Sequence, residues 1–282
     1  MRRMFAATAV GVLMLMPAVA LARGTMSSGF RNVGSRPMSV AVLPGRADFI
    51  QGRLVVTAQK GKDCAALERE AGVAVRTNLE MLGYRVRLLT RQDLEQDAGL
   101  RDLAARVNDQ FGEAWKTLVR NPEAVNQGRA ATGGDDAVRL VAALGVDGLA
   151  LTRVIAVTPP EEQGAPEAKR PAKGAGDSYS RVDLGIVGKE GRIEAFFTGL
   201  LAASSGQLTG RPAKVMGRVA EEAFAQYPPA SEPGRLRKEV SLPAAEQWSR
   251  GMVPFSDEAA LRDFEVLLKR PPVPAGASRA QD

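Results

Sequence analysis

The sequence predicts an α/β (α+β) fold, a mixed sheet with an antiparallel meander and helices packed on it, in a single domain followed by a C-terminal helix. Three observations predict it. Short apolar or alternating runs at Ser39–Leu43 and Tyr84–Thr90 bracket a segment whose apolar residues recur at helical spacing. Further strand-like runs, Gly148–Val157, Tyr179–Val187 and Arg192–Ala203, follow in succession and are punctuated by turn residues. Strand–helix alternation that gives way to a meander belongs to a mixed sheet around one core, here of about 200 ordered residues.

The chain opens with Arg2 and Arg3, an uncharged run from Met4, Pro17, and Ala20-Leu21-Ala22 ahead of Arg23. This is the layout of a secretory signal peptide over residues 1–22, with the cut between Ala22 and Arg23. The uncharged run also approaches the roughly 20 residues that an uncleaved anchor needs. Pro17, which breaks the helix just before the small-residue site, favours cleavage. The expected location is the periplasm or the outside of the cell. Residues 23–37 are Gly/Ser-rich and polar and read as a flexible arm.

The α/β domain is expected over residues 38–227. Ser39–Leu43 is a buried strand closed by a turn at Pro44-Gly45, and a second short strand is expected at Arg53–Thr57. From Asp63, residues Leu67, Ala71, Val75, Leu79 and Leu82 share one helical face, and Gly83 is the C-cap. Tyr84–Thr90 alternates, with Val86 and Leu88 inward and Arg85 and Arg87 outward. Gln92–Gly128 is helical, broken or capped by Pro122, with Trp115 as a core anchor. Gly133-Gly134-Asp135-Asp136 introduces another helix. Its aspartates put negative charge where a phosphate would sit, so capping is the better reading. Residues 158–178 are rich in Pro, Gly, Ala and charge and read as a mobile loop. The meander is expected to be completed by Gln207-Leu208-Thr209 after a turn at Ser204-Ser205-Gly206. A helix starting at Pro212 carries Val215, Met216, Val219, Ala223, Phe224 and Tyr227. Residues 228–255 read as a linker, 256–269 as an amphipathic helix with Leu261, Phe264 and Leu268 on one side, and 270–282 as a disordered tail.

Charge and composition exclude much. Loss of residues 1–22 leaves 36 basic and 32 acidic side chains, a formal +4. The densest basic cluster, Arg235, Arg237 and Lys238, sits beside Glu239 without interleaved aromatics, so no nucleic-acid partner is expected and membrane association is weak at most. The chain has no histidine and one cysteine, Cys64. That removes His-based triads and dyads, His- or Cys-rich metal sites and any intramolecular disulfide, and no cofactor or metal site is expected. Cys64 reads as a small buried hydrophobe. Carboxylate and Ser-Lys chemistry survive. Asp48, Asp63, Asp147 and Asp183 sit near expected element ends, where sites form, although each also reads as a turn or cap residue.

Ser39–Leu43 with the helix and Tyr84-Arg85-Val86 after it, then Leu140–Leu151 with its Leu144-Gly145-Val146-Asp147, then Leu200–Leu208 with Ser205-Gly206, occur in an order that resembles a known envelope superfamily. It is the one containing the curli-secretion lipoprotein, the lipoprotein activator of penicillin-binding proteins and the amino-terminal domain of the Tol-system translocation protein. The resemblance covers about Met38–Tyr227. The chain departs from that pattern in having no cysteine after the signal for lipidation, no pore hairpins and no propeller repeats. What the resemblance implies is a small non-catalytic module that binds protein partners in the envelope, and no site residue carries over. The expected function is therefore an exported periplasmic binding or assembly module acting on envelope proteins, with homo-oligomerisation open. An envelope-polymer hydrolase using carboxylate or Ser-Lys chemistry, or a small-ligand carrier, is the alternative.

Overall fold

A computed structural model describes residues 20–51, 54–126, 134–158, 178–203 and 205–232. In chain order the elements are β1 (Ala20–Met26), α1 (Ser28–Arg31), β2 (Ser39–Val42), β3 (Arg46–Gln51), β4 (Leu54–Val55), α2 (Gly61–Met81), β5 (Arg85–Leu88), α3 (Arg91–Glu95), α4 (Ala98–Arg120), α5 (Gly134–Leu144), β6 (Gly148–Thr158), β7 (Tyr179–Gly188), β8 (Ile193–Ala202), α6 (Ser205–Gly210) and α7 (Pro212–Phe224). Single turns of 3-10 helix lie at Val33–Ser35 and Pro122–Val125.

The strands form one mixed sheet in the order β1-β8-β7-β6-β2-β5, with β3 also on β6 and β4 on β3. β5, β2 and β6 are parallel, as a strand–helix–strand crossover through α2 requires, and β6, β7, β8 and β1 are antiparallel. The expected mixed α/β sheet with packed helices is the fold observed. β6 lies in the middle and is buried along its whole length, because both of its faces are covered. Leu149, Leu151, Ile155 and Val157 pack with Phe111, Trp115 and Leu118 of α4 and with Leu140 and Leu144 of α5. On the opposite face Ala150, Val154 and Ala156 pack towards α2 and α7, which contribute Leu67, Val75, Leu79, Val219 and Phe224.

Four expectations need correction. Residues 24–36 are not a flexible arm. All seven residues of β1 pair with β8, Ser27 accepts a hydrogen bond from Phe30 N at 3.1 Å to cap α1, and Phe30 and Arg36 are buried. β1 is described from Ala20, and residues 1–19, most of the expected signal peptide, lie outside the described residues.

Pro44-Gly45 does not turn the chain back. β2 and β3 run in the same direction along β6, pairing with Gly148–Ala150 and Arg153–Thr158. Proline supplies no N–H to the ladder, and Gly45 passes so close to Thr152 that a Cβ there would lie 2.1 Å from its Oγ1. The sequence signal for a turn is here a kink between two strands that run along the same side of β6.

Gln207–Thr209 is not a strand but part of α6. The position beside β8 that a third meander strand would take is occupied by β1, and the antiparallel set is completed by β6 instead. The expected linker also starts as packed chain: Pro228 and Ala230 are buried, and Ala230 N donates to Leu82 O at 2.8 Å. The expected loop, apart from its ends Thr158 and Ser178, and the expected C-terminal helix and tail lie outside the described residues.

Candidate functional site

Arg153 lies on the same side of β6 as Leu149, Leu151 and Ile155, so strand parity drives a guanidinium into the layer between the sheet and α4. A cation there needs partners. Strand register sets Arg46, Arg153, Asp183 and Thr198 in one row across β3, β6, β7 and β8, with Asp48 two residues further along β3. Arg153 donates to Asp48 Oδ2 at 2.6 Å, and its guanidinium stacks 4.1 Å from the Trp115 ring centroid. Arg181 Nε lies 2.8 Å from both oxygens of Asp183. Trp115 Nε1 donates to Asp183 Oδ2 at 2.7 Å and the Thr198 hydroxyl donates to Oδ1 at 2.6 Å. Trp115 is thus the expected core anchor and also the hinge of this network, one side stacked on Arg153 and its N–H on Asp183.

Two of the four aspartates singled out in the sequence, Asp48 and Asp183, are brought into this buried network, each matched by its own arginine. The arrangement holds sheet to helix; neither carboxylate lines the open cleft described below. The other two lie elsewhere. Asp63 is in the first turn of α2, where a negative charge complements the helix dipole. Asp147, between α5 and β6, accepts from Ser39 N at 2.9 Å and pairs with Lys189 at 2.8 Å. Lys189 holds its carboxyl below the usual carboxylate range. Asp147 thereby ties the start of β2 to the β7–β8 turn.

A cleft of about 720 Å³ opens at this end of the sheet, where β2 and β6 begin and β7 passes into β8. Ser27, Arg36, Asp147, Lys189, Arg192 and Glu194 line it, among others. Glu194 is perturbed in the opposite direction to Asp147. Burial, reinforced by the charge of Glu190, pushes its carboxyl up to about 6, and its Oε2 is buried without a hydrogen-bond partner. Gly188 makes room for it, since a Cβ at that position would lie 2.1 Å from Glu194 Oε1.

At the back of the cleft the buried Arg36 is held by neutral acceptors. It donates to the carbonyls of Phe30 at 2.8 Å, Pro229 at 2.7 Å and Arg31 at 3.3 Å and to the Tyr84 hydroxyl at 3.2 Å. Tyr84 in turn donates to Pro228 O at 2.9 Å. These bonds stitch the N-terminal segment to the chain beyond α7, around an aromatic cluster of Phe30, Tyr84, Phe197, Phe224 and Tyr227.

Cys64 is buried, as the sequence suggests. Burial pushes its thiol up to about 12, so it stays protonated and unreactive at neutral pH. Among the described residues no three His, Cys, Asp or Glu side chains are grouped to hold a metal ion, and no helix is long and apolar enough to cross a membrane.

Sequence reasoning missed Arg153, Arg181, Glu194 and Arg36. For the first two a signal was present: charged residues at inward parity within an apolar strand, Arg153 alone in β6 and Arg181 with Asp183 in β7. For Glu194 and Arg36 none was, because their burial depends on segments far apart in the chain.

Fold and site together define a mixed α/β domain with a charged, internally paired interior and a polar cleft at a sheet end. No family model matches the chain, and no curated protein matches it. Among solved structures it is similar to the PelC dodecamer from Paraburkholderia phytofirmans, at 12% identity and a TM-score of 0.32, covering 73% of this chain and 97% of that one. A point variant of the same dodecamer gives 12% identity and a TM-score of 0.32, covering 72% of this chain and 97% of that one.

Proposed function

We propose that this chain is an exported protein of the cell envelope that acts as a periplasmic binding or assembly module through protein–protein contacts. The observation that carries the reading is how the interior acids are used. Asp48 and Asp183, two of the four aspartates that the sequence singles out near element ends, are each held by a buried arginine and serve packing. A hydrolase needs a carboxylate in reach of substrate and free to exchange a proton. Asp147 reaches the cleft, yet both of its oxygens hold other parts of the fold. Glu190 lies 3.8 Å from Arg192, so Glu194, the cleft carboxyl that is free to exchange a proton, has no second free acid beside it among the described lining residues to complete an acid–base pair. Export is supported by the amino-terminal pattern from Arg2 to Ala22, and the envelope setting by the resemblance described from the sequence.

The test is cross-linking of intact cells followed by mass spectrometry of what co-purifies with the mature chain. The expected result is a reproducible partner among envelope proteins or a cross-linked homo-oligomer. Recovery of background alone, with a monomer in solution, would overturn the proposal.

A further inference from the structure

We infer that the cleft at the Gly188–Glu194 end of the sheet receives the cationic end of a basic side chain from a partner protein, with the Glu194 carboxylate as its acceptor. The inference rests on the protein-binding reading above and names the chemistry of one contact within it.

The other charged groups of the cleft have partners inside the protein. Arg36 is bonded to three carbonyls and Tyr84, Lys189 to Asp147, and Arg192 lies 3.8 Å from Glu190. Glu194 differs, because its Oε2 is buried and lacks a donor. Such an oxygen carries its full desolvation cost until a donor arrives. A hydroxyl would supply a hydrogen bond only; an ammonium or guanidinium supplies the bond and the opposite charge. The glycine at 188 is what lets the carboxyl lie there, against the backbone of the β7–β8 turn at the wall of the cleft.

The lining favours a side chain over an amino sugar. No aromatic residue is among the lining residues to stack on a sugar ring, whereas Met38, Val125 and Ile193 offer apolar surface for the methylene stem of a lysine or arginine. The charged and titratable groups around Glu194 are Glu190, Lys189 and Arg192 from the turn, Asp147 from the α5–β6 junction, Arg36 from the N-terminal segment and Tyr227 from beyond α7. Cation and proton compete for the carboxylate. With Glu194 titrating at about 6, affinity for a cation should rise about tenfold between pH 5 and pH 7.

The experiment is an NMR titration of the full mature chain with N-acetyl-lysine amide and N-acetyl-arginine amide. N-acetyl-glutamine amide is the neutral control and glucosamine the amino-sugar probe. The expected result is a saturable shift of the Gly188 and Glu194 amides with the cationic amino-acid probes, about tenfold tighter at pH 7 than at pH 5. The shift should be absent with the glutamine probe and lost in Glu194→Gln. Gly188→Ala, whose Cβ displaces the carboxyl, should lose it too and serves if Glu194→Gln does not fold. No saturable shift at pH 7, a shift that survives both variants, or tighter binding of glucosamine than of either amino-acid probe would overturn the inference. A cross-linked partner recovered from cells alongside a silent cleft would leave the binding-module reading standing and remove only this contact.

Discussion

Replacing Asp183 by Asn keeps the shape of the side chain and removes the charge that answers Arg181. The Asp183 side chain is fully buried and that of Arg181 is 11% exposed, at a separation of 2.8 Å. Breaking a buried pair by removing one partner costs about 3–5 kcal/mol. The lower end applies here, because the Asn amide oxygen can keep the bond from Trp115 while the Thr198 hydroxyl, which donates to the other oxygen of Asp183, can turn to accept from the amide NH2. Asp183→Asn and Arg181→Met are therefore each expected to lose about 3 kcal/mol. The double variant leaves no charge stranded, so it should lose less than the sum by about 2 kcal/mol. Urea denaturation reports all four corners of the cycle, provided the dependence on denaturant is the same in each. Trp115 fluorescence gives a local readout, since its N–H donates to Asp183. Single-variant losses that add to within about 0.5 kcal/mol would refute the argument that the two groups are there for each other.

Glu194 gives a pH-dependent effect of opposite sense. Its folded pKa of about 6 is raised above the ordinary 4.5, so the stability it contributes is complete below pH 4.5 and is lost as pH rises through 6. The full gap corresponds to about 2 kcal/mol, which solvent at the open side of the cleft screens to about 1 kcal/mol. Glu194→Gln should thus leave the melting temperature unchanged at pH 4 and raise it at pH 7.5; equal effects at both would count against the burial argument. Gly199 lies where α7 crosses β8, and a Cβ there would meet Val219 O at 2.0 Å and Ala223 N at 2.7 Å. Both are backbone atoms and cannot swing aside, so Gly199→Ala is expected to cost about 3 kcal/mol, measured by urea denaturation. Arg36→Met strips donors from three carbonyls and from Tyr84, and should cost about 3 kcal/mol and speed proteolysis near Pro229; resistance equal to that of the parent chain would show that the stitch is dispensable.

The middle of the fold was legible in the sequence because each element there decides its own structure. Leu67, Ala71, Val75 and Leu79 of α2 repeat every fourth residue and are all buried, and Gly83 ends the helix with φ +90°. Arg85 and Arg87 alternate outward from Val86 and Leu88, as their spacing predicts. The failures came where the outcome is set at a distance. The Gly/Ser-rich composition of residues 24–36 contains no periodicity, and it is the free edge of β8 and the bonds from Arg36 that order it. Leu208 is equally well suited to a strand or a helix, and what decides is that β1 holds the neighbouring place. Pro44-Gly45 was a correct sign of a broken ladder, and only the position of Thr152 decides that the break is a kink.

The site was half legible for a related reason. An acid near an element end is a weak pointer because capping uses the same residues, and Asp63 and Asp147 show it. Parity is the stronger signal. Arg153 shares its side of β6 with Leu149, Leu151, Ile155 and Val157, while Arg181 and Asp183 share one side of β7, so strand alternation alone sends three charges into the same apolar layer. Charges sent inward need partners, and these have them: Asp183 answers Arg181, and Asp48 of β3 answers Arg153. Glu194 stands apart because burial reaches it with no matching donor for Oε2. Among the described residues that carboxylate is therefore a buried charge whose donor the fold does not supply.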